Sequence, residues 1–133
     1  MQENDLVVKP LPELTSVQTA KIIADQNDRF RKAAFGQAVP APVPAGQIFM
    51  TPGVTELPEA SRAALLHAVA AYETFNPDSD PYNWREMGVV EIEAETVWFK
   101  IDLYDENYEY GSSDPTDLRF TRRVLTLLLP SEY

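Results

Sequence analysis

The stretch from Thr96 to Tyr104, TVWFKIDLY, alternates apolar and polar residues and constrains the fold more than any other. Successive side chains of an extended strand point to opposite faces. Val97, Phe99, Ile101 and Leu103 therefore share one face, and Trp98, Lys100, Asp102 and Tyr104 the other. A helix would scatter both sets. The first face demands a core to cover it, so the chain must build a sheet with a layer packed on one side.

The surrounding pattern supplies that layer. A helix is predicted from about Thr15 to Phe35, capped by Thr15 or Ser16 and ended by Gly36. Ala20, Ile23, Ala24, Asn27, Phe30 and Ala34 form its buried stripe, and the polar Asn27 on it must tie the helix to a loop. A second helix is predicted from about Pro58 to Phe75, with Leu65, Ala68, Val69, Tyr72 and Phe75 inward. His67, the only histidine, lies opposite that stripe and should face solvent. Strands are expected at about Gln47–Met50, Met87–Glu93, Thr96–Tyr104 and Thr121–Leu129. Thr51-Pro52-Gly53 reads as a turn, and another tight turn falls near Ala94-Glu95. The expected architecture is α+β, with two helices on one face of an antiparallel sheet of three or four strands. At 133 residues the chain is one domain, residues 15–133. Residues 1–14 form a flexible N-terminal segment, and the proline- and alanine-rich residues 37–46 form an extended connector.

Charge is the other strong signal. The net charge is −10. Residues 1–72 hold seven acids and six bases, whereas residues 73–117 hold thirteen acids against Arg85 and Lys100. Such a field repels nucleic acids and anionic membranes and attracts basic surfaces. The absence of cysteine excludes disulfides, thiolate metal sites and cysteine nucleophiles. The start of the chain lacks the basic and apolar blocks of a signal peptide. The longest apolar stretch, AALLHAVAAY, is about half of the ~20 residues a membrane span needs. A soluble cytoplasmic protein is expected.

The candidate site is the acidic middle third. Asp102, Asp105, Glu106, Glu109, Asp114 and Asp117 crowd one segment, with Tyr104, Tyr108 and Tyr110 interleaved. Tyrosines supply contact area and acids meet a partner's arginines, so the composition suits an interface. Glu91, Glu93 and Glu95 extend the set. On one strand face, next-but-one residues lie ~6.6 Å apart, roughly a phosphate spacing; placed in a hairpin turn, they lose that ladder. A calcium loop counted from Asp105 fails, because glycine arrives at Gly111 and the twelfth position is Thr116. A looser set of Asp102, Asp105 and Asp114 is the residual metal option. Lys100 beside Asp102 reads as a salt bridge, and Gly111-Ser112-Ser113-Asp114-Pro115 as a turn. Arg119, Arg122 and Arg123 are expected to neutralise the neighbouring acids. Trp84 and Trp98 line a shallow pocket or finish the sheet's outer face.

Several pieces together carry a resemblance. They are Asn27-Asp28 with Phe30-Arg31, Thr51-Pro52-Gly53-Val54, Asp80-Pro81-Tyr82, and Lys100-Ile101-Asp102-Leu103-Tyr104-Asp105. Gly111 to Pro115, Arg123-Val124-Leu125-Thr126 and Glu132-Tyr133 complete the set. The chain resembles an uncharacterised bacterial family of short proteins known only as a domain of unknown function. The resemblance implies a shared fold and no particular activity. Members look like genes carried on mobile elements, which implies a role in conflict with host defences. Where the family places a glutamate, histidine, aspartate run, this chain has Asn83-Trp84-Arg85-Glu86-Met87. Arginine keeps its proton and offers no lone pair, so a base or metal ligand there is not reproduced.

The function expected is a non-enzymatic acidic inhibitor that engages a basic, nucleic-acid-binding defence protein by nucleic-acid mimicry, of anti-CRISPR or anti-restriction type. No cofactor, metal or catalytic residue is assigned, and no direct nucleic acid or membrane contact is expected. Two alternatives stand beside it. One is a small, carboxylate-based hydrolase, with or without a metal, built on Asp80, Lys100, Asp102 and Asp105. The other is a structural or regulatory subunit whose acids bind nothing specific.

Overall fold

The computed structural model describes residues 13–133. The expected N-terminal segment 1–14 lies almost wholly outside the described residues. Helix α1 spans Ser16–Ala34, and Thr15 caps it with its side chain while Gln18 reciprocates. Strand β1 is Gly46–Met50, followed by a short helix α2, Pro52–Thr55, and helix α3, Glu59–Ala71. Strands β2 (Met87–Ile92), β3 (Glu95–Tyr104) and β4 (Arg122–Leu128) complete a sheet in the order β1-β4-β3-β2. A 3-10 turn, Pro130–Glu132, ends the chain.

The α+β class and the four strands agree with the sequence. One correction concerns direction: β1 runs parallel to β4, with Ile48 beside Leu125, so the sheet is mixed rather than wholly antiparallel. The chain between β1 and β4 contains α3 and the β2–β3 hairpin. It is long enough for the crossover that parallel neighbours require. A second correction is that Pro52 starts a helical turn instead of a plain β-turn. A third concerns α3, which stops at Ala71 because Tyr72 turns extended. Phe75 keeps its inward place without being helical, edge-on to Tyr72 and Phe99.

The register fixes the faces. Phe99 sits opposite Leu127 and Ile101 opposite Leu125, so these side chains share the face with Val97. Phe30 of α1 and Leu65 and Val69 of α3 close over them in one buried cluster. Gly88 lies opposite Phe99, and a Cβ there would come within 2.3 Å of that ring. Only glycine lets β2 pass beneath the aromatic group. The other face is half open: Trp98 packs edge-on to Tyr133 at 5.6 Å, while Phe49 is 53% exposed. His67 is exposed, as its helical position predicted. The connector is docked: Pro44 is buried and Arg29 donates to the Pro42 carbonyl at 3.5 Å.

Two fully buried arginines organise the helices. Arg31 donates to the Val69 and Tyr72 carbonyls at 3.0 and 3.2 Å and to Asp28 at 2.9 Å. It thereby supplies positive charge to the C-terminal end of α3. Its guanidinium also lies over Phe75 and Phe99. Arg123 donates to Asn27 at 2.7 Å and to Gln26 at 2.9 Å, and its Nη1 meets no acceptor among the described residues. Asn27 in turn donates to the Trp84 carbonyl, the helix-to-loop tie its sequence position demanded.

Candidate functional site

The acidic segment is a tightly bonded loop at the end of β3. The Asp105 amide donates to the Tyr110 carbonyl at 2.8 Å, and the Tyr108 amide donates to the Asp105 carbonyl at 3.1 Å. The Asp105 carboxylate accepts the amides of Asn107 and Glu109 at 3.1 and 3.0 Å. Such bonds are how an aspartate organises its own turn. They hold Tyr108 at φ 57°, a left-handed conformation unusual for its side chain. Glu106 and Glu109 are left pointing to solvent beside Tyr110, which is 73% exposed.

The second half of the loop is tied down as well. The Ser112 and Thr121 hydroxyls share a 2.7 Å hydrogen bond, and Thr121 donates to the Asp114 carbonyl. The Asp114 amide donates to Ser112, and the Asp114 carboxylate accepts from Thr116, so this is the turn the residues suggested. Gln26 of α1 donates to the Thr116 carbonyl and fixes the loop to the helix. Asp117 pairs with Arg119 at 2.7 Å, and that hydrogen bond holds its carboxyl below the usual carboxylate range. Among the described residues, Arg119 is the only one of the three C-terminal arginines that neutralises a loop acid. Arg122 serves backbone carbonyls and Arg123 serves α1, which corrects the expectation for both.

The structure places Glu91, Glu93 and Glu95 elsewhere. Glu91 pairs across the ladder with Thr96 and accepts its hydroxyl at 2.9 Å. Glu93 sits in the hairpin turn at φ 48° and accepts from Ser61 of α3. Glu95 opens β3 opposite Ile92, on the face opposite to that of Glu91. The three form no ladder along one face. They also lie at the far end of a ten-residue strand from the acidic loop, a span of roughly 30 Å at about 3.3 Å per residue. The candidate acids therefore form two poles rather than one surface.

Between the poles lies a small polar cleft of about 190 Å³, lined by Ser79, Glu86, Met87, Lys100, Asp102 and Tyr133. Lys100 and Asp102 are paired across it at 2.5 Å, as their spacing suggested. Burial pushes the Glu86 carboxyl above its ordinary value, and the negative charges of Asp80 and Asp102 add to the effect. Asp80 is itself buried, and its carboxylate accepts the amides of Trp84 and Arg85. Glu86 was missed by the sequence reading. Its only signal was a place immediately before a strand. Among the described residues, no three carboxylate or imidazole groups gather closely enough to hold a metal ion, so Asp102, Asp105 and Asp114 do not make a cradle.

Arg85, standing where the resemblance expects histidine, has a defined structural place. It bridges Asp28 at 2.8 Å and Glu73 at 2.7 Å and lies over Phe75 at 5.1 Å. It links the loop before β2 to α1 and to the segment after α3. Trp84 stacks at 42° against Tyr82 rather than on the open sheet face.

A family model described as a protein of unknown function (DUF3768) matches residues 50–132. The chain belongs to that family. The DUF3768 span holds every acidic candidate, Arg85 and the cleft except Tyr133, whereas α1 and most of β1 precede it. Its two ends meet in the fold. Glu132 accepts from the Thr51 hydroxyl at 2.5 Å and from the Gly53 and Leu129 amides at 2.9 and 3.0 Å. Those hydrogen bonds, Thr51 first, hold its carboxyl below the ordinary range. No curated protein and no solved structure matches the chain.

Proposed function

We propose that this DUF3768 protein is a non-enzymatic acidic binding protein that occupies a basic, nucleic-acid-binding surface on its partner. In its concrete form it is an inhibitor carried by a mobile element against a CRISPR or restriction complex. The observation that supports this reading most is the tip of the β3–β4 loop. Glu106 and Glu109 stand free beside the exposed Tyr110 on a turn that Asp105 holds rigid. A preorganised acidic tip with an aromatic anchor loses little conformational entropy on binding. The hydrolase alternative is less well served. Lys100 is paired with Asp102, Asp80 is occupied by two amides, and Asp105 is spent on its own loop.

The test is a capture of basic proteins from cells carrying defence systems, with the native chain and the Glu106→Lys/Glu109→Lys variant as baits. Asp105 stays untouched, since its carboxylate builds the turn. A stoichiometric basic partner should bind the native chain at low salt, leave as salt shortens the screening length to ~3 Å near 1 M, and ignore the variant. A partner that binds the variant equally well, or no partner at low salt, would refute the reading.

A further inference from the structure

The two edges of the sheet are chemically unlike. At the β2 edge stand Glu91 and, in the adjoining hairpin, Glu93 and Glu95, all exposed. Charges at an edge are a standard protection against strand addition. The β1 edge has none. From Ala33 to Thr55 the sequence contains no charged residue at all. The strand is nonetheless open, with Ile48 39% and Phe49 53% exposed, and Val43 just before it is 50% exposed. Beside it runs an apolar groove of about 430 Å³ between the connector and α1, lined by Phe30, Ala33, Val43, Pro44 and Ile48.

The backbone there is unsatisfied in a regular way. The Arg123 amide donates to the Ala45 carbonyl, and the Thr51 amide donates to the Leu127 carbonyl. Residues 45, 47, 49 and 51 therefore address β4, and the alternating groups of Gly46, Ile48 and Met50 face outward.

We infer that the uncharged β1 edge is a self-association surface, joining two copies of this chain through antiparallel β1–β1 pairing centred on Ile48. An antiparallel strand pair is its own complement under a two-fold axis, so one patch serves both partners. Ile48 would lie opposite its counterpart and Gly46 opposite Met50, which satisfies every outward group. Charge selects the occupant. Two copies, each of net charge −10, repel over most of their surfaces, and β1 is the place where no like charges meet. Pairing through β2 would instead set glutamates against glutamates. The result is one continuous eight-stranded sheet with the acidic poles carried on its outer parts. The strand and connector offer roughly half of the 20–30 residues a side of a standard interface, so the dimer is reversible, with a Kd on the order of 100 µM.

Sedimentation equilibrium of the full chain across a concentration series tests this without any partner protein. The native chain should move from monomer to dimer mass as concentration passes through the Kd. Ile48→Lys should raise the Kd about tenfold or more. Val43→Lys, at a site outside the strand, gives the same test should the first variant fold poorly. Val89→Lys at the β2 edge should leave the Kd unchanged. A native chain that stays monomeric at ten times the expected Kd overturns the inference. So does a dimer indifferent to both β1-side variants, or one abolished by Val89→Lys.

Discussion

Arg31 and Arg123 are both fully buried, and methionine should expose how differently they are held. Arg31 has a carboxylate partner, two carbonyls of α3 and two aromatic faces. Arg31→Met leaves the Val69 and Tyr72 carbonyls without this donor, while Asp28 keeps its bond to Arg85. Each buried group left unsatisfied costs about 1–3 kcal/mol. Among the described residues Arg123 has no carboxylate partner, only the neutral oxygens of Asn27 and Gln26, and its Nη1 is unpaired. Burial brings its pKa down to about 10, which corresponds to roughly 3 kcal/mol against the charged form. That penalty offsets most of the gain from two hydrogen bonds to a charged donor, each about 1.5–3 kcal/mol. Arg123→Met should therefore cost only about 1–2 kcal/mol. Urea denaturation measures both, and the thermal midpoints should fall by roughly 3–4 °C per kcal/mol in a chain of this size. If Arg123→Met loses as much as Arg31→Met, the argument from charge compensation is wrong.

Two carboxylates should give opposite pH behaviour. Glu86 has a raised folded-state pKa, so its ionised form costs stability above that value. Glu86→Gln should be more stable than the native chain at pH 7, and the difference should vanish as pH falls through the ordinary carboxylate range; a loss of stability at pH 7 contradicts the burial argument. Glu132 has a lowered folded-state pKa, so its contribution is present above the unfolded value and disappears as pH falls through the folded one. Glu132→Gln should lower the midpoint at pH 7 and make the unfolding curve flatter below pH ~4. An unchanged acid limb would mean that the tie to Thr51 and Gly53 is not formed in solution.

The parts of the fold written in the sequence are those set by local periodicity. Val97, Phe99, Ile101 and Leu103 had one arrangement open to them, and β3 follows it. The stripe of α1 likewise marked Asn27 as a tie. The parallel pairing of β1 was not legible, because strand direction depends on where the crossover returns and not on any residue of GQIFM. Arg31 was missed for a related reason. It lies on the apolar stripe, four residues after Asn27, but its charge hides that, and only the arrival of the α3 C-terminus, 38 residues later, makes its burial favourable. Arg85 looked like a lost histidine and is instead the bridge between Asp28 and Glu73. In each case the deciding partner is distant in sequence.

The candidate acids are contiguous along the chain, and the fold divides them for a geometric reason. Counted along the chain, Glu91 to Asp117 is one cluster. Folded, β3 carries its first members to one end of the sheet and its last to the other, and Asp105, Asp114 and Asp117 each make local bonds. A protein that only needed solubility would have no reason to hold Glu106, Glu109 and Tyr110 on a turn this well bonded, with Tyr108 in a left-handed conformation. Strain at a loop tip persists where the surrounding bonds over-determine it, and here those bonds come from Asp105 and the Tyr104–Gly111 bridge. The tip is therefore the pole to perturb first. Charge reversal at Glu93 and Glu95 is the matched control: it changes net charge by the same amount as reversal at Glu106 and Glu109. If both pairs weaken partner binding equally, long-range attraction alone explains the affinity. If only the tip pair does, the contact is local, and the aromatic ring of Tyr110 belongs at its centre.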